Sequence, residues 1–191
     1  MAKADDGPDF PDAHPDTSFD MYYDSSNNEV VFEVTTESSY YFGLGFGTSV
    51  MGTGNDMIMC TSSSGTPTCT DMHSNGYSAP IADSTDDLTV SGSVSGSQNV
   101  YEIRRALDTG DTDNDYVFAL DTEFDMIWAL AVNTNDISVS HDYRGANKAT
   151  LYSDGSYSFA DDHDDVPDAA TPGSLVTSFA LASLVAAFTI F

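Results

Sequence analysis

Basic residues are almost missing from this 191-residue chain: 5 Lys and Arg face 31 Asp and Glu, a formal charge of -26. That scarcity excludes nucleic acid as a partner class, because neutralising phosphates takes clustered Lys and Arg. Such a surface is solvated by water and salt, and its field attracts basic proteins and cations. Cysteine is scarce as well. Cys60 and Cys69 bracket C-T-S-S-S-G-T-P-T-C, which reads as a hairpin loop closed at its neck by one disulfide, as in an oxidising compartment. Metal binding by the two thiolates is the weaker alternative. Residues 1–16 are acidic and Pro-rich, with no apolar stretch to serve as a secretory signal, which conflicts with a disulfide. No G-x-S-x-G elbow occurs, and carboxylates are too numerous for any pair to stand out. No catalytic signature is found, so the chain is not read as an enzyme.

What is present is a mixture of aromatic, β-branched, Ser and Gly residues in short runs, which favours strands over helices. Strands are expected at Phe19–Tyr23, Glu29–Thr35, Tyr40–Gly47, Asp56–Cys60, Leu88–Ser95, Asn99–Ala106, Tyr116–Leu120, Met126–Val132 and Ile137–His141. D-S-S-N-N, S-G-S and D-T-G-D-T-D-N-D supply the turns between them. Many short strands predict an all-β fold, an antiparallel sandwich or a barrel. The chain divides into an acidic leader (1–16), this domain (17–159), an acidic linker (160–174) and an uncharged apolar tail (175–191). The tail would span about 26 Å as a helix, slightly short of a bilayer core of about 30 Å. With its polar spacer it reads as a lipid-anchor attachment signal, a retained membrane helix being the close competitor. Either way the domain is expected on the extracellular or lumenal face of a membrane.

Three segments could carry chemistry. In Y-Y-F-G-L-G-F-G, alternation puts Gly43, Gly45 and Gly47 on one face of a strand and Phe42, Leu44 and Phe46 on the other. Strand glycines mark the close approach of a flat ligand or of a neighbouring side chain. Met51 lies in the Gly-rich loop that follows, whereas Met57, Met59 and Met126 sit in apolar runs as core fillers. His141 ends the run I-S-V-S-H, just before Arg144, one of the few cations and a candidate partner for an acidic ligand group. Taken singly, a loop Met and a surface His are ordinary. Together, a thioether and an imidazole are the axial pair of an electron-transferring haem iron. They would have to meet across a porphyrin-sized gap once the sheets close. Lacking C-x-x-C-H, the chain would hold that haem non-covalently. His14 and His163 read as solvated and His73 as a loop residue. D-T-G-D-T-D-N-D (108–115) lacks the Gly and distal Glu of an EF-hand; an acidic turn is favoured, and calcium stays testable.

The segments E-V-V-F-E-V with Y-Y-F-G-L-G-F-G, M-G-T-G-N-D-M-I-M-C, C-T-D-M-H-S-N-G-Y-S-A-P-I-A-D, Y-E-I-R-R-A-L-D-T-G-D-T-D-N-D-Y-V-F and I-W-A-L-A-V-N…S-V-S-H-D-Y-R-G-A-N together resemble the DOMON family over roughly Thr17 to Leu151. The R-x-L-x-T-G-D-x-x-D stretch is the most specific. The resemblance implies an immunoglobulin-like β-sandwich that in some members holds haem b and in others binds sugars. Met51 and His141 fall where haem-binding members place their axial ligands. It also implies Gly43, Gly45 and Phe46 as pocket walls, Arg144 as a propionate partner, and a redox partner protein that complementarity to this surface would make basic. The alternatives are a haem-free module for carbohydrate or cations, and an accessory subunit of a membrane complex.

Overall fold

The computed structural model describes residues 17–63 and 65–160; the leader, most of the linker and the apolar tail lie outside the described residues. Among the described residues, eleven strands appear in chain order. They are β1 (Ser18–Asp24), β2 (Glu29–Glu37), β3 (Tyr41–Phe46), β4 (Thr53–Ser63), β5 (Thr66–Asn75), β6 (Ile81–Ala82), β7 (Thr89–Ser95), β8 (Gln98–Ala106), β9 (Glu123–Ala131), β10 (Tyr143–Leu151) and β11 (Tyr157–Phe159). All pair antiparallel, in a four-stranded sheet ordered β1-β2-β8-β7 and a seven-stranded sheet ordered β11-β10-β9-β3-β4-β5-β6. The protein is an antiparallel β-sandwich, and no helix occurs among the described residues.

Period-two alternation builds the interior. In β8, Asn99, Tyr101, Ile103 and Arg105 point inward while their neighbours stay partly exposed. Opposite them, Phe42, Leu44 and Phe46 of β3 enter the same core. Phe42 meets Tyr101 edge-on at 5.0 Å and Phe46 stacks on Phe32 at 5.3 Å between ring centroids. Phe118 and Phe124 extend this aromatic cluster. Each such ring contributes roughly 1.5–3 kcal/mol through burial. The β1–β2 turn is closed by the Asp24 carboxylate, which accepts from Ser26 N and Asn27 Nδ2, with Asn28 in the left-handed region at φ 58°. The disulfide forms as expected: Cys60 and Cys69 are directly opposed on β4 and β5.

Two expected strands are corrected. Tyr116–Leu120 is irregular: Tyr116 N donates to the Asp56 carboxylate and Phe118 N to the Leu107 carbonyl. The segment plugs the interior with Phe118 instead of joining a sheet. Ile137–His141 is a turn, because the Asp136 side chain captures Ser138 N and Oγ and so competes with strand pairing. The strand begins two residues after His141, at Tyr143. β5, β6, β10 and β11 were not anticipated.

Candidate functional site

The outward face of the larger sheet follows from strand register. Across β10, β9, β3, β4 and β5 one row reads Arg144, Ala129, Gly43, Met59, Thr70, and the next reads Ala146, Ile127, Gly45, Met57, Met72. Ala146, Ala129, Gly43 and Gly45 bring almost no side chain to the middle of this face. The floor there is apolar, and β3 itself adds no side chain to it at Gly43 and Gly45. A Cβ added at Gly43 would sit 2.5 Å from Met59 Sδ, and one at Gly45 would sit 2.8 Å from Ile127 Cγ1. The two glycines therefore let the side chains of β4 and β9 lie down over β3. Tyr41, Met57, Met59, Met72 and Ala131 form a second buried cluster here, separate from the inter-sheet core, with Met51 and Ile137 packed against it.

Two loops spring from opposite ends of adjacent strands and fold back over this floor. The β3–β4 loop leaves after Phe46 and carries Met51; the β9–β10 loop leaves after Ala131, beside the start of β3, and carries His141. β3 has six residues, so the loop bases are separated by about 17 Å of strand. Between them lies a cavity of about 760 Å³, lined by both Met51 and His141 and by Gly43, Gly45, Ala129 and Arg144. That volume is in the range of sites for organic cofactors, roughly 300–1,000 Å³. The gap is on the outer face of the larger sheet.

Both loops are held firmly. In the His141 loop, the Tyr41 hydroxyl donates to the Val139 carbonyl at 2.6 Å. Asn135 Oδ1 accepts from Ser62 N at 2.8 Å and its Nδ2 donates to the Ser38 carbonyl at 3.2 Å. Asp142 closes the neck, its carboxylate accepting from Val132 N at 2.9 Å. Burial, with Asp142 and Asp136 nearby, pushes the Tyr41 phenol up to about 12, so it remains a donor throughout the physiological range. In the Met51 loop, Asn55 Nδ2 donates to the Val50 carbonyl and Gly76 N to the Gly52 carbonyl. A register irregularity in β4 lies beside it, between Thr53 and Asp56. Met51 and His141 themselves are half-buried. The imidazole makes no hydrogen bond to a described residue.

Arg144 is exposed, and among the described residues it is the cation without an ion pair. Arg104 is held by Asp24, Glu29 and Glu102, Arg105 by Asp56 and Asp115, and Lys148 by Glu123 and Asp125.

The structure thus brings together Met51, His141, Gly43, Gly45 and Arg144. It does not bring in Phe46, which is 2% exposed on the opposite face, in the inter-sheet core; alternation along β3 forces that separation. Gly47 also leaves the expected row, at φ 69° just past the strand, where a Cβ would strike the Tyr116 ring. Met57 and Met59, read as core fillers, are buried but on the cavity side. Tyr41, Trp128 and the exposed rim residues Val50, Tyr77 and Val139 also line the cavity and were missed. The outward position of Tyr41, two residues before Gly43, was a usable signal; the rim residues had none.

A sandwich with a cofactor-sized cavity on one outer face is a fold class that can be compared. Residues 15–131 match the family model of the DOMON domain, and the chain belongs to that family. Among solved structures it is similar to the cytochrome domain of Myriococcum thermophilum cellobiose dehydrogenase, with TM-score 0.58, 17% identity, and coverage of 76% of this chain and 81% of that one. It is also similar to the cytochrome b domain of pyranose dehydrogenase from Coprinopsis cinerea, with TM-score 0.52, 18% identity, and coverage of 70% and 75%. No curated protein matches the sequence.

Proposed function

We propose that this protein is a b-type cytochrome domain in which Met51 and His141 would hold one haem, which would supply single-electron transfer. The observation that supports this best is a shared cavity: a thioether and an imidazole 90 positions apart in sequence line one space, over an apolar floor to which β3 brings only glycine at Gly43 and Gly45. Gly43, Gly45, Ala129 and Ala146 would accept a flat macrocycle, and unpaired Arg144 would take a propionate in a charge-assisted bond. A haem held by a thioether and an imidazole would supply one-electron transfer. Within that scheme the protein's residues have plain tasks. Met57, Met59 and Ile137 exclude water from the cavity, Tyr41 and Asn135 hold the imidazole arm, and Asn55 holds the thioether arm. The resemblance to cytochrome domains accords with an electron carrier and not an enzyme.

The disulfide accords with an oxidising compartment. We assign the domain to the extracellular or lumenal face of a membrane, tethered through its apolar tail, with a redox partner whose docking face is basic. Absorption spectra of protein produced with haem available test the reading. Sharp Soret and α/β bands that shift on reduction, and that are lost in Met51→Ala and in His141→Ala, are expected. A colourless protein would overturn it in favour of a haem-free carbohydrate- or cation-binding module.

A further inference from the structure

The acidic loop 108–115 does not form an EF-hand-like cradle. The loop delivers only its last carboxylate, Asp115, to a cluster whose other members come from strands. Asp56 on β4 alternates with outward Met57, and Asp71 on β5 is paired with inward Ile58, so both enter the space between the sheets. One oxygen from each of Asp56, Asp71 and Asp115 lies within 4.8 Å of the others. Asp56 is 3% exposed, Asp71 1%, and the Asp115 side chain 3%.

Their hydrogen bonds are half complete. Asp56 Oδ2 accepts from Arg105 Nη1 at 2.6 Å and from Tyr116 N at 2.8 Å. Asp71 Oδ2 accepts from Asp87 N at 3.2 Å, and Asp115 Oδ2 from Thr109 Oγ1 at 2.5 Å. Asp56 Oδ1 and Asp71 Oδ1 are buried with no partner, a costly state for a carboxylate. Three carboxylates against one guanidinium also leave two negative charges uncompensated. One divalent cation cancels both deficits, since it neutralises the excess and takes the orphaned oxygens. A purely carboxylate set selects a hard ion, and oxygens no more than 4.8 Å apart fit within the span of two calcium–oxygen bonds of about 2.4 Å. Donors from three separate segments suit the irregular shell of calcium better than the strict octahedron of magnesium.

We propose that Asp56, Asp71 and Asp115 form a structural calcium site inside the sandwich, independent of the haem cavity on its outer face. Without an ion, burial pushes the Asp71 carboxyl up to about 7 and that of Asp56 up to about 6. With one, both stay ionised.

The test is thermal unfolding of the full chain after chelation, in physiological salt to screen its diffuse charge. Saturating calcium is expected to raise the midpoint by about 5–10 °C, magnesium by much less, and calcium should not move Asp71→Asn. No calcium response, or an equal response with magnesium or in Asp71→Asn, overturns the site. Should Asp71→Asn fail to fold, terbium added to the native chain decides. Emission sensitised by Tyr116, beside the cluster, and abolished by calcium supports the proposal; absence of calcium-sensitive emission overturns it.

Discussion

Replacing Arg105 with Met is the most demanding test of the interior electrostatics. The guanidinium is fully buried, bonds the Asp56 carboxylate and the Tyr116 carbonyl, and lies 5.5 Å from the Phe118 ring centroid. Met preserves most of the volume and removes the charge, so the loss is mainly electrostatic. Removing one partner of a buried ion pair costs about 3–5 kcal/mol, which for a domain of this size lowers the midpoint by roughly 6–20 °C. The pH dependence follows from the two carboxyls that burial raises, Asp71 to about 7 and Asp56 to about 6, from 3.8. Between those limits the folded chain binds protons that the unfolded chain does not. Their contribution to stability is therefore complete at low pH and lost as pH rises through 6 to 7. Without Arg105 these carboxyls become still harder to ionise. The deficit of Arg105→Met should be largest near about pH 8 and shrink toward about pH 5. Urea unfolding at both pH values, with chelator present, measures it. A deficit that is pH-independent, or below about 1 kcal/mol, would refute the reasoning.

Other outcomes follow from the cavity. Gly43→Val should fold, because the clashing atom is the mobile end of Met59, yet fill the floor and abolish haem uptake; unimpaired uptake measured by the Soret band would contradict this reading of the floor. Tyr41→Phe removes the bond to Val139, should cost about 1 kcal/mol in stability, and should weaken haem retention about tenfold by loosening the imidazole arm. Amide exchange of residues 136–142 should quicken in the same variant even without haem. Arg144→Ala should leave the melting midpoint unchanged, within about 0.5 kcal/mol, while lowering haem affinity in titrations.

Strand alternation made much of this legible. The runs around Val30 to Val34 and Val100 to Ala106 declared their faces, and the Y-F-G-L-G-F segment foretold a bare outer strip. What alternation cannot convey is which neighbour lies across a strand. The adjacency of β3 and β9 brings a loop from residue 47 onward to the same face as a loop from residue 132 onward. β10 escaped notice because R-G-A-N-K-A is polar and small, as suits a strand whose outer face forms a cavity wall. Phe46, expected as a pocket wall from the family resemblance, faces the core, because period two sends adjacent residues to opposite faces. The acidic cluster stayed hidden because its three carboxylates come from β4, β5 and a loop, and nothing local distinguishes them among 31 acidic residues.

Haem titration of the metal-free full chain, alongside the double variant Met51→Ala/His141→Ala, bears on the central assignment most directly. One equivalent should bind the parent tightly with a six-coordinate spectrum, and the double variant should bind none. Equal uptake by both proteins would remove the two residues from the iron and the assignment with them.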